Sequence, residues 1–187
     1  MDEVRPCRPR LLAPTWTALA WHAITWPGLA LVLLAWTSLS RADWEAMGVP
    51  LAVMAVIVVV SELTPILATR LVGDPVSLTP VFVFAALYVW GPYPALLMMA
   101  AAVAFSEILA RKAPWKSLFN VAQYCLSVAA GWTVLSLSGV APTPVDPMGG
   151  LTARDLGWVA ASWVAYHLTN LALVACLAAA VIISSAG

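Results

Sequence analysis

From about Thr15 to Ile183 the chain is a succession of apolar stretches, broken only by short charged, Pro-rich or Gly-rich turns. A bilayer core needs about 20 apolar residues per helix, tolerably 17 to 25, and six spans fit that ruler. They run from Thr15 to Leu39, Gly48 to Leu71, Leu78 to Trp90, Tyr93 to Ala110, Ser117 to Leu137 and Leu156 to Ile183, the third being short. Composition agrees, with 63% hydrophobic residues, 10% charged residues and a mean hydropathy of +0.92, against about 25% charged residues in ordinary soluble domains. The expected fold is an all-α integral membrane protein. Residues 1–14 form a cytoplasmic N-terminal segment, and residues 15–187 form a single domain, a bundle of six transmembrane helices.

The charges set the orientation. Arg111, Lys112 and Lys116 crowd into RKAPWK between two apolar runs, where the positive-inside rule marks a cytoplasmic turn. Placing Arg5, Arg8, Arg10 and Arg70 on the same side accounts for seven of the nine basic residues. Arg41 and Arg154 then fall in outer loops beside Asp43, Glu45, Asp146 and Asp155. Both termini are thus expected in the cytoplasm. This arrangement needs Gly91-Pro92-Tyr93-Pro94 to be a turn, since one helix from Leu78 to Ala110 would be about 50 Å long. Trp16, Trp36, Trp44, Trp90, Trp115 and Trp158 lie near span ends, as interfacial anchors do. The apolar run after MDEVRPCRPR is too long and too rich in Trp for a signal peptide and reads as a retained first span.

Net charge is zero, with nine basic and nine acidic residues, which indicates neither nucleic acid nor a strongly anionic partner. Cys7, Cys125 and Cys176 lack CxxC spacing, so neither a disulfide framework nor a metal site is expected.

Polar groups inside the spans are the candidate functional residues, because charge at the bilayer centre costs about 2.5 to 3.5 kcal/mol on insertion scales. Asn120, Gln123 and Ser127 share one helical face. Counting about 1.5 Å per residue from the cytoplasmic edge places Glu62 at roughly 12 Å, Glu107 and Asn120 at roughly 6 Å and Gln123 at roughly 10 Å. Tyr166, His167 and Asn170 fall in the same inner half. A polar layer of Glu62, Glu107, Asn120, Gln123, Tyr166, His167 and Asn170 is the result, usable either as a ligand pocket or as interhelical hydrogen bonding at about 0.6 kcal/mol per bond.

Glu62, two turns from Arg70 and three residues before Pro65, is the first choice for a functional carboxylate. Glu107 precedes Arg111 by four residues and is expected to snorkel to the interface as a local ion pair. His22, among Trp16, Trp21 and Trp26, reads as a packed neutral histidine. Trp163, on the face of His167 and Asn170, either stacks on a ring-shaped ligand or fills the bundle. Ser61-Glu62-Leu63 and Ser106-Glu107-Ile108 recur late in two spans and suggest a worn hairpin repeat. GxSG before His167, HExxH and glycine-rich phosphate loops do not occur, so neither an enzyme nor a cofactor is expected.

From Glu62 onward the chain resembles the multi-pass membrane module found N-terminal to bacterial HD-GYP phosphodiesterases and some diguanylate cyclases. The likeness rests on ELTPI, VSLTPVFVFAALYVWGPYPALL, WKSLFNVAQYCLSVAAG and VAYHLTNLALV, about two thirds of the chain. It implies that Asn120, Gln123 and Asn170 are characteristic positions and that the last span leads into a cytoplasmic output domain. No such domain follows before Gly187, so phosphodiesterase activity is not carried over, and the chain reads as a detached module or as part of a longer one.

The expected function is therefore that of a non-enzymatic sensing, regulatory or partner-association module of a bacterial inner membrane. Its expected partners are the lipid bilayer, a second copy, or other membrane and cytosolic signalling subunits. Length and helix count also resemble the vitamin-binding S components of energy-coupling-factor transporters. The third reading is a structural subunit of a larger membrane complex.

Overall fold

The computed structural model describes residues 16–64, 78–139 and 153–186. Cys7, Arg5, Arg8, Arg10, Pro65, Arg70 and Asp146 lie outside them. The described residues form six helices and no strand: α1 (Trp16–Ser38), α2 (Arg41–Leu63), α3 (Thr79–Trp90), α4 (Pro92–Leu109), α5 (Pro114–Leu137) and α6 (Ala153–Ala186). Five are long and apolar enough to cross a membrane. The exception is α3, whose 12 residues make about 18 Å against a hydrocarbon core of about 30 Å.

Local chemistry explains the element ends. Ser40 caps α2 through a capping box with Asp43, so helix begins at Arg41, ahead of the expected Gly48. Gly48 then takes φ 48° and breaks α2 into two pieces, a conformation open to glycine because it lacks a Cβ. α2 ends at Leu63, and the expected boundary at Leu71 lies outside the described residues. Thr64 leaves the helix at φ −117° and ψ 67°, as the residue before a proline does when the following ring disfavours the α region. The turn expected between the third and fourth spans is present, with Gly91 at φ 84° separating α3 from α4. Pro80, Pro92 and Pro114 open α3, α4 and α5 in the first turn, where a missing N–H costs nothing.

α4 and α5 are the centre of the bundle. Half of each span is buried inside the protein, against 22% for α1, 17% for α2 and 6% for α6. α5 packs on α6, α1 and α4, while α2 packs on α4 and α3. Lipid tails are as apolar as leucine, so association rests on close fit and polar contacts more than on a hydrophobic drive. α1 and α5 show that fit: a Cβ on Gly28 would stand 2.5 Å from the Cα and carbonyl oxygen of Ala122. Ser162 Oγ on α6 donates to the Gly131 carbonyl of α5 at 2.7 Å, fully buried. Thr17 Oγ1 bonds both Ala180 O and Ser184 Oγ, which places the start of α1 beside the end of α6.

Candidate polar site within the bundle

Glu107 lies in the last turn of α4. After Leu109 the chain reverses at Arg111, a non-glycine residue at φ 52°, a left-handed conformation that costs an L-residue roughly 1–2 kcal/mol. The reversal carries Arg111 off the Glu107 face and brings Lys112 back toward it. Lys112 Nζ stands 2.7 Å from Glu107 Oε1, and Asn120 Nδ2 of α5 donates to the same oxygen at 3.0 Å. The expected pairing with Arg111 is therefore corrected. Glu107 does not snorkel outward but is 95% buried, with Lys112 as its cation. Its second oxygen, Oε2, is buried without a hydrogen-bond partner.

The α5 face continues the cluster. Asn120 is half-buried and Gln123 is buried, with Gln123 Oε1 unpartnered. Ser127 turns back to its own helix, donating to the Gln123 carbonyl at 2.8 Å. Tyr124 shares a side-chain hydrogen bond with Asn170 of α6. It is the residue that reading the sequence missed, although its position four after Asn120 puts it on the same face.

From α6, Tyr166 is fully buried and meets Phe84 edge-on at 5.5 Å. His167 packs edge-on against both Tyr166 and Trp163, with ring centroids 4.9 and 4.1 Å away. Trp163 is itself exposed, so it shields His167 from outside the bundle. Tyr166 OH, His167 Nε2 and Asn170 Oδ1 are buried and unpartnered.

Glu62 closes α2 and is half-buried. It lies close enough to Tyr124 and Tyr166 to belong to the same neighbourhood. Beside it Ser61 Oγ and Thr79 Oγ1 share a buried hydrogen bond of 3.0 Å. The end of α2 and the start of α3 therefore stand together next to the polar cluster.

Other candidates lie elsewhere. Arg111 and Lys116 are exposed, with Lys116 Nζ 5.3 Å above the Trp115 ring. His22 is not packed inside. It lies on the exposed surface of α1, accepts a hydrogen bond from Trp26 Nε1 at 3.0 Å and meets Trp21 edge-on. The two indoles take up its polarity locally, which removes the need for a place in the core.

The assembled site is rich in acceptors. Glu107 Oε2, Gln123 Oε1 and Asn170 Oδ1 are carboxylate or amide oxygens that only accept, and each leaves a buried lone pair unused. Among the described residues no group of three or more His, Cys, Asp or Glu is placed to hold a metal ion. A cavity remote from the cluster is of another kind. It holds about 520 Å³ between α1, α2 and α4, with an almost wholly apolar lining.

The bundle, with five helices fit to cross a bilayer, defines an all-helical, multi-pass membrane protein. Comparison with protein-family models, with curated proteins and with solved structures found no match to this chain.

Proposed function

We propose that the protein is a non-catalytic sensing or regulatory module of a bacterial inner membrane, in which the acceptor-rich layer answers a small hydrogen-bond donor or a partner subunit. One observation carries this reading: of the six buried polar side-chain atoms without a partner among the described residues, five belong to this layer, on Glu107, Gln123, Tyr166, His167 and Asn170. An unsatisfied buried group costs about 1–3 kcal/mol, so a layer kept for packing alone gains from apolar replacement. The two glutamates that end α2 and α4 give the layer charge where helices meet. The apolar character of the cavity at the opposite end supports this reading over a transporter component that captures a polar substrate there.

The orientation belongs to the same proposal. With the turn at Arg111 to Lys116 in the cytoplasm, the layer lies in the inner half of the membrane and both termini face the cytosol. Ala113→Cys, in that turn, is then expected to resist an impermeant thiol reagent added to intact cells, and outside labelling would overturn the orientation.

Copurification from native membrane in mild detergent tests the function, with wild type compared against Gln123→Leu and Tyr166→Phe. A signalling or membrane subunit recovered with wild type and lost with either variant is expected. If both variants are more stable than wild type and recover the same proteins, the layer is only packing.

A further inference from the structure

Between α1, α2 and α4 a cavity of about 520 Å³ opens to the surface of the bundle, within the range of about 300–1,000 Å³ typical of ligand sites. Small residues create it. Gly48, Ala52 and Ala55 on α2 and Ala101 on α4 line it, and the break in α2 falls at one of them, Gly48. Trp36 and Trp44 line it too, their ring centroids 6.3 Å apart, and tryptophan favours the level of lipid headgroups. From the mouth inward the walls are almost wholly apolar, which excludes a polar occupant from the body of the cavity.

The charged groups above it complete the site. Arg41, Trp44 and Glu45 are spaced three and four apart and so share one face of the first piece of α2, before the break at Gly48. The exposed pair of Arg41 Nε and Glu45 Oε1, 2.7 Å apart, therefore stands on the same face as Trp44, which lines the cavity. Its bond to Glu45 uses one of the five guanidinium N–H groups and leaves the fork that matches a phosphate. Glu45 offers a carboxylate to an ammonium. Cation and anion stand side by side at the interface above an apolar slot.

We infer that this cavity holds one acyl chain of a zwitterionic phospholipid, with the lipid phosphate on Arg41 and its ammonium on Glu45. The inference is independent of the proposed function and of which leaflet the mouth faces. Charge complementarity selects the lipid, and the small residues of α2 and α4 select a hydrocarbon chain.

Native mass spectrometry of the protein purified in mild detergent, with phosphatidylethanolamine or phosphatidylglycerol added, tests it. One phosphatidylethanolamine is expected to stay bound, at least about tenfold more strongly than phosphatidylglycerol. Ala55→Leu with Ala101→Leu is expected to fill the slot and abolish retention without lowering the melting temperature. Arg41→Gln with Glu45→Gln alters only exposed side chains. It is expected to keep the fold and remove the preference between the two lipids, and it decides the matter should the filled variant fail to fold. Equal retention of both lipids by wild type, retention undiminished in the filled variant, or disulfide-linked dimers of Ala55→Cys showing a second copy in the slot would each overturn the inference.

Discussion

Gly28→Ala is the sharpest probe of how α1 sits on α5. The added methyl carbon would stand 2.5 Å from Ala122 Cα, Cβ and carbonyl oxygen, where ordinary contact begins at 3.4 Å. The helices must therefore part by about 0.9 Å at that point. Two of the three atoms met are backbone, so no side-chain rotation can relieve the clash. Overpacking costs about 1–3 kcal/mol, and a rigid backbone obstacle puts this site near the upper end, at about 3 kcal/mol or roughly a hundredfold in the folding equilibrium. Thr25, buried in the same contact region, and the bond from Trp21 Nε1 to Trp115 O at 3.0 Å would be disturbed with it. Reversible unfolding by SDS in mixed micelles, followed by circular dichroism, gives the measurement. Gly157→Ala is the control. A Cβ there meets nothing within 4 Å, and replacing a helical glycine removes a penalty of about 0.5–1 kcal/mol, so its midpoint should equal or exceed that of wild type. Gly28→Ala unfolding at the wild-type midpoint would refute the close approach of α1 to α5.

Asn120→Ala removes one of two donors from the buried Glu107 Oε1. Hydrogen bonds to charged groups contribute about 1.5–3 kcal/mol, so a loss of about 2 kcal/mol is expected in the same unfolding assay, and an unchanged midpoint would contradict the contact. Ser162→Ala deletes the hydroxyl that bonds Gly131 O and is expected to cost about 0.6 kcal/mol, the average for hydrogen bonds between membrane helices. A loss above about 2 kcal/mol would exceed anything that bond supplies. Asp43, held below the usual aspartate range by hydrogen bonds from the Ser40 side chain and backbone, makes the start of α2 sensitive to acid. A depressed value means that its stabilisation is complete above the ordinary value of about 3.9 and fades as pH falls through the lower value that it has in the fold. Helix loss in Arg41–Met47, read by cysteine accessibility at Ala46→Cys, is expected to rise on acidification in wild type and to be pH-independent in Asp43→Asn.

The helical, multi-pass character of the protein follows from its composition and spacing, since only apolar stretches of bilayer length account for so few charges over so many residues. Spacing alone also put Asn120, Gln123 and Ser127 on one face, and the break at Gly91 was legible because glycine and proline there suit a turn. What each polar group bonds was not legible. Periodicity fixes which residues share a face but not how that face is rotated toward its neighbours, so Tyr124 was missed as the partner of Asn170. The counting that matched Glu107 to Arg111 assumed a helix that in fact ends at Leu109. His22 went astray for a reason particular to membranes: lipid-facing and core-facing residues are equally apolar, and hydropathy cannot say which side of α1 is inside. Tertiary packing alone decided that Lys112 reaches back to Glu107, that His22 turns outward, and that the end of α2 meets the start of α3 through Ser61 and Thr79.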